Sequence, residues 1–564
     1  MKPQTNTTMQ RRRISPALSL ILASASWCLF FFALRYHLHY QEQGQLFLFT
    51  WGYFTETVLA PGGLADWLGR FLTQFSYWGA LGAAVTAAVI CGVQLSCRAC
   101  LIRRDFLPDA LSLVPAMLVL AFLCDEDALL TAPLAIIISL LAARVLGKGK
   151  RAEILAFVLT PVMYLACDSF AILFSLVFWL RARDGFSKAW AIKFAAALAL
   201  MVACPLLARF VFPFHADRYL TGIHYYRYVL IKPVLPWIAV LCSALAVLAS
   251  SFELKPVKTF WSVAVWVAVA VLAIIPAHIS MSSSRGELLR YSYDVRQGDW
   301  QDILKQAGKK APKDPMGMAS VNLALSMTGR MGTDLFRYPQ LGWEGLLPDM
   351  RSDHFLPLVP SEAYWQCGMV NDAQRFTFEA QESFPDYQKS AYYYLRLAKT
   401  NLANGDDKVA ERYLSELDRT LFYRHVREEV TRDAMEKKAL RLKHGDAIFL
   451  QDEVDSLLRA LVRENPKNRV ACDYLMSWAM LDKDLERAGR YFEDIGYKEA
   501  APQLYQEAYL LDLARRHAPT SPTPSGVTEE NVLRLQDVMN NGKAPNYLRR
   551  RYFESFWYYY FQSP

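Results

Sequence analysis

Apolar residues dominate long stretches of the first half of the chain. Runs at 15–35, 77–95, 106–124, 127–146, 153–166, 169–183, 189–212, 233–252 and 257–280 are separated from one another by charges or turn residues. Most approach the about 20 residues that cross a hydrocarbon core of roughly 30 Å. The pattern predicts nine membrane passes. Residues 153–183 admit a second reading, as one long tilted helix, but Pro161 and Cys167-Asp168-Ser169 interrupt them. A hairpin is the expected form, with arms short for full spans.

Between the first two runs the pattern changes period. Pro61-Gly62-Gly63 breaks the chain, and Leu64, Trp67, Leu68, Phe71, Leu72 and Phe75 follow at helical spacing. Asp66, Arg70, Thr73 and Gln74 take the opposite face. This predicts an amphipathic helix lying in a membrane interface, either as a strut or as the rim of a cavity. From Glu287 onward helix follows helix, broken at Gly298-Asp299, Pro312, Gly332, Pro348, Pro385, Gly405-Asp406, Pro466 and Pro502. Ala398, Ala410 and Leu414, and again Ala488 and Phe492, match in part the small-and-large pattern of tetratricopeptide hairpins. The expected fold is all-α: a polytopic bundle of about nine spans over 1–283, then a TPR-like α-solenoid over 284–564.

Charge adds an orientation. The first 283 residues carry 23 Lys and Arg against 13 Asp and Glu, a net +10, and the remainder is at −2. If Arg11, Arg12 and Arg13 are cytosolic, so are Arg98, Arg103, Arg104, Arg144, Lys148, Lys150, Arg151, Arg181, Arg183, Lys188, Lys255 and Lys258. That asymmetry predicts a cytosolic N-terminus and, after nine passes, a C-terminal domain on the other side. Ala23-Ser24-Ala25 imitates a cleavage site, but the apolar run continues through Phe32. Hydrophobic residues at 53% exclude a wholly soluble chain, and cysteines gathered in the apolar runs exclude a disulfide scaffold. The basic residues cluster at span ends, so they do not point to nucleic acid. Cys97-Arg98-Ala99-Cys100 is a lone CxxC, and no P-loop, GxSxG or HExxH occurs.

Candidate chemistry gathers on the non-cytosolic side. His37, His39, Glu42, Glu56 and Asp66 fall in the first outer loop, Cys124-Asp125-Glu126-Asp127 after the third span, Asp168 at the hairpin tip. His215, Asp217, Arg218, His224 and Arg227 follow the seventh span. Five of the nine histidines, counting His278, lie at these ends. Ionisable groups at the membrane edge usually face a cavity, which Asp168, His37 and His39 would line. The tail YFESFWYYYF at 552–561 is expected in a core or at the lipid surface.

The wording of 41–75, with QEQ, QLFLFT, PGGLADWL and RFLTQF, together with NLALSMTG at Asn322–Gly329, resembles an uncharacterised family of bacterial envelope proteins. By architecture the chain is also similar to the GT-C glycosyltransferases, some of which carry a TPR-bearing tail; Glu42 stands alone where those enzymes place an acidic pair. That likeness implies transfer of a sugar from a polyprenyl-phosphate donor to an acceptor, a periplasmic protein or peptide, outside the bacterial inner membrane. Glu56, Asp66 and Glu42 are the candidate bases, and Arg70, Arg218, Arg227, His215 and His224 the candidate phosphate ligands. A divalent metal ion is one way to assist the departing phosphate. The competing expectation is a non-catalytic membrane-anchored scaffold of an envelope assembly or secretion machine. Nine spans without evident inverted repeats argue against a transporter.

Overall fold

The computed structural model describes residues 18–102, 108–183, 185–228, 231–252, 271, 275–281, 283–348, 358–384, 388–442, 454–517, 522–544 and 546–562. These are helical throughout, without a strand; Ala128 and Tyr226 make an isolated antiparallel bridge. The chain divides into two compact units, one of Met1–Gly286 with Arg419–Phe422, the other of Glu287–Asp418 with Tyr423–Pro564.

In unit 1, α1 (Leu18–Ala33) ends in a π-helical turn and bends by 77° into α2 (Arg35–Gln43). Two short helices follow, α3 (Trp51–Val58), capped by the Thr50 hydroxyl, and α4 (Gly63–Thr73). The long helix α5 (Gly79–Cys100) packs on α6 (Pro108–Leu123) and α7 (Thr131–Val145). Its Ala83 and Ala87 are buried, and residues this small let helix axes approach closely. Then come α8 (Lys150–Cys167), α9 (Ala171–Ala182), α10 (Lys188–Ala208) and α11 (Val234–Ala249).

The expectation of nine spans needs correction. Among the described residues three helical runs are long and apolar enough to cross a membrane, Gly79–Cys100, Lys150–Ala182 and Lys188–Ala208, or four if the bent pair α1 and α2 is one span. Apolar runs in the sequence continue into turns that end the helices early: the run at 127–146 begins in a turn, and α7 has only 15 residues, about 22 Å of rise. The helix Val234–Ala249 has only 16 residues. The run expected at 257–280 lies mostly outside the described residues.

The 33-residue run Lys150–Ala182 is not one straight rod. Phe157 and Trp179, 22 positions apart in sequence, have ring centroids 5.3 Å apart. A straight helix would separate them by about 33 Å. The chain therefore turns back at Asp168, whose φ of 50° is left-handed, and α8 and α9 form the expected hairpin.

Unit 2 is built of consecutive helices that pack on their neighbours, among them α12 (Leu358–Cys367), α13 (Val370–Glu382), α14 (Ala391–Asn404) and α15 (Asp407–Leu417). The chain continues through α16 (Arg427–Leu440), α17 (Val454–Glu464), α18 (Arg469–Leu481), α19 (Leu485–Ile495) and α20 (Gln503–Arg515). Side chains of Ser390, Asn468 and Asp484 cap three of these N-termini, and left-handed Gly405 and Gly496 end two of them. The small residues singled out by spacing, Ala398, Ala410 and Ala488, are fully buried, and Leu414 and Phe492 are buried with them. The aromatic tail is core at Tyr552, Phe556 and Trp557. It is fastened by buried Glu507, whose carboxylate accepts from the Phe556 N–H (2.8 Å) and pairs with Arg534 (3.0 Å), and whose carbonyl accepts from the Trp557 indole (3.1 Å).

Candidate functional site

The strongest departure from ordinary patterning in unit 1 is α2. Its sequence is polar, yet every residue from His37 to Gln43 is buried, Glu42 among them. Buried polar groups require partners, and the turn after α6 supplies several. The Tyr40 hydroxyl donates to Asp127 (3.2 Å), Gln41 donates to the Ala128 carbonyl (2.9 Å), and His37 bonds to the Cys124 backbone. His39 sits beside Gly79, the first residue of α5.

Three charged centres lie close by. In the first, Arg70 Nε is 2.8 Å from Asp66, which also accepts from the Thr131 hydroxyl at 3.2 Å. Gly69 makes this approach possible, since a Cβ there would stand 2.9 Å from both the backbone N and the hydroxyl of Thr131. Burial opposes the Asp66 charge, but Arg70, His224 and Thr131 outweigh it and hold the carboxyl below the usual carboxylate range. The same pairing, opposed by burial, raises the basicity of Arg70.

In the second centre, Asp127 faces Arg227 (3.3 Å) and Arg285 (3.0 Å), while Arg285 also reaches Glu126 (3.2 Å) and the Tyr228 hydroxyl (3.0 Å). The Arg227 guanidinium lies over the Tyr40 ring at 4.6 Å and rests against Gly44. Burial pushes the Asp127 carboxyl up, with Arg227 and Arg285 acting against it. Tyr226 caps the turn by donating to Asp125 (3.0 Å).

The third is Asp168. Its carboxylate accepts from the Ile223 N–H (2.6 Å), the Ser169 N–H (2.7 Å) and the Ser169 hydroxyl (3.1 Å). Arg218 adds its field and donates to the Ile223 carbonyl. Left-handed Gly62, of the first loop, packs on the Asp168 side chain. Four segments distant in sequence thus meet at one end of the helices of unit 1: the first loop, the turn 124–130, the hairpin tip and the loop 213–228.

Of the residues singled out by sequence, Asp66, Arg70 and His224 come together, as do Asp168 and Arg218, while Arg227 joins the turn at Asp127. His37, His39 and Glu42 are buried on α2. Glu56 is exposed on α3, and His215 is exposed in a surface group with Asp217 and Lys232. Glu126 and Asp127 were noted only as part of the acidic turn and given no role, and Tyr40, Tyr228 and Arg285 were not among the candidates. The acidic triplet 125–127 at a helix end was the available signal; nothing local marked Arg285. Among the described residues no group of three or more His, Cys, Asp or Glu is arranged to hold a metal ion.

A family model matches residues 10–563, nearly the whole sequence. The chain belongs to DUF6057, a family of unknown function. No curated protein and no solved structure matches this DUF6057 chain.

Around these centres α4 has its polarity turned outside in. Ala65, Asp66, Gly69 and Thr73 are buried, whereas Leu64, Trp67, Leu68, Phe71 and Leu72 are half-exposed. Exposed aromatic and aliphatic residues continue the patch, with Trp51 77% and Leu59 68% exposed and Trp78 at the start of α5 62% exposed.

Proposed function

We propose that this DUF6057 chain is an integral membrane transferase, GT-C-like in plan, which moves a sugar from a polyprenyl-phosphate donor to an acceptor held by a TPR-like solenoid in unit 2. The observation that carries the reading is the convergence of Asp66–Arg70, Asp127–Arg227–Arg285 and Asp168–Arg218 at one end of unit 1. Buried ion pairs contribute little net stability compared with apolar packing of the same volume, so those at Asp66 and Asp127, with the buried carboxyl of Asp168 beside them, are costly for an inert anchor. The half-exposed apolar face of α4 and the exposed aromatic residues beside it suit contact with lipid, from which such a donor enters.

In the proposed reaction a carboxylate takes the proton of the acceptor hydroxyl. The acceptor oxygen then bonds to the anomeric carbon as the bond from that carbon to the phosphate oxygen breaks, with inversion. Asp66, kept ionised by Arg70, and the buried Glu42 are the bases proposed, ahead of Glu56, which is exposed on α3. Arg70, Arg218 and Arg227, with His224 beside Asp66, would take the charge of the departing lipid phosphate. His215, on the surface, would meet the phosphate only at entry. The site belongs on the periplasmic side of a bacterial inner membrane, where a lipid carrier replaces nucleotide sugars.

Asp66→Asn and Glu42→Gln are expected to lower glycan on periplasmic acceptors by about 10²–10⁴ in rate, with the protein still present in the membrane. Unchanged glycosylation in the double variant, at normal abundance, would refute the transferase.

A scaffold is the second reading, favoured by one observation: Asp66, Asp127 and Asp168 are already matched by groups of the chain itself. It expects those substitutions to leave glycans untouched while partner recovery through unit 2 persists.

A further inference from the structure

Unit 2 holds an open cavity of about 540 Å³ along the helix Trp300–Lys309, in the size range of small-molecule sites. Its charged lining is of one sign. Lys305, Arg330 and Arg337 are the charged residues of its lining among the described residues. Arg330 is the most committed of the three, held by Asp334 through Nε at 2.8 Å. Arg337 comes no nearer than 4.0 Å to Glu554, at the limit of an ion pair, and both of those side chains are more than half exposed. Lys305 has no ion-pair partner among the described residues. The helix ends in Lys309, one turn beyond Lys305 on the same face, which adds to the positive field.

Like charges around one concavity repel, and low-dielectric walls strengthen their field. An anion in the cavity would relieve that repulsion. The floor is of another character: Leu304 and Ala307 are buried, and the Tyr338 ring lies with them, its hydroxyl donating to the Leu304 carbonyl at 3.5 Å. Gly308, where an added Cβ would meet open space, and Ala311 complete the wall with small groups. A hydrated inorganic ion gains nothing from such a floor, whereas the ring or carbon chain of an organic anion does.

We propose that this cavity binds a small organic anion, a phosphorylated or carboxylated sugar-sized molecule, with its charge between Lys305, Arg330 and Arg337 and its carbon skeleton against Leu304 and Tyr338. The site is independent of the transferase reading, because it lies wholly within unit 2 and involves no residue of the three charged centres. Titration calorimetry of the full-length protein in detergent tests it, with glucose 6-phosphate and glucuronate as the two anionic probes, neutral glucose as control and inorganic phosphate as the headgroup alone. Saturable binding of either sugar anion in the micromolar to millimolar range is expected, at least tenfold tighter than glucose or inorganic phosphate. Comparing the two sugars shows whether phosphate or carboxylate is preferred.

Lys305→Glu and Arg337→Glu, both at exposed positions, are expected to weaken that binding tenfold or more with the thermal midpoint unchanged. Lys498→Glu, at an exposed position outside the lining of the cavity, should bind as the unaltered protein does. Absence of saturable binding by both sugar anions, equal binding of glucose, or full affinity in the Lys305→Glu, Arg337→Glu double variant would overturn the proposal.

Discussion

Asp473 sits in the core of unit 2, 5% exposed, accepting from the Tyr505 hydroxyl at 2.8 Å and the Ser326 hydroxyl at 2.9 Å. Burial pushes its carboxyl up to about 6, against 3.8 for the free group, with Tyr505, Ser326 and Arg469 working the other way. A folded value above the unfolded one means that the unfolded chain ionises first as pH rises. This residue's contribution to stability therefore falls between about pH 4 and pH 6 and is level above, by roughly 3 kcal/mol in all. Asp473→Asn removes that slope and keeps both hydroxyl partners within reach. Its thermal midpoint should exceed that of the unaltered protein at pH 7.5, with the gap closing near pH 4.5; equal gaps at both pH values would contradict the assignment. At this scale the sequence was partly legible. Asp66 and Arg70, one turn apart on one helix, could be read as a pair because helical spacing is local. Arg285 could not, because its partners Glu126 and Asp127 lie about 160 positions away and only tertiary folding joins them.

At the scale of elements, periodicity carried far. The apolar stripe of α4 was visible as spacing, and the breaker at Asp168 foretold the turn between α8 and α9. Helix length was not visible, because composition does not mark where an apolar run leaves a helix for a turn, as at 127–130. Spacing also left open which face of α4 would be buried. In water the stripe of Leu64, Trp67, Leu68 and Phe71 would turn inward; here Asp66 and Gly69 are inward and the stripe is half-exposed. The membrane reading makes a distinct prediction from that inversion. Phe71→Asp puts a charge on the half-exposed face and should reduce the yield of folded, membrane-inserted protein severalfold, measured by fluorescence-detected gel filtration of detergent extracts. A water-facing α4 would accept the same change with equal or better yield.

For the whole molecule, the division near residue 286 follows the shift from apolar runs to mixed helices, which composition displays. The non-cytosolic side proposed for unit 2 rests on the charge asymmetry at the span ends. On that proposal a phosphatase fused after Pro564 is active and a cytosol-dependent reporter there is silent; the opposite result would place unit 2 in the cytosol and rule out the proposed periplasmic donor. One consequence concerns the order in which the chain is made. Glu507 binds Phe556 and Trp557, 50 positions later at the indole. At roughly 5–20 residues per second, the ribosome delivers that partner about 3–10 s after Glu507 itself. During that interval a carboxylate destined for a dry interior stays hydrated, and the face of α20 that Trp557 will cover stays open. Unit 2 should thus depend on chaperones late in synthesis, and nascent chains stalled before residue 556 should be more protease-sensitive than chains stalled well beyond it.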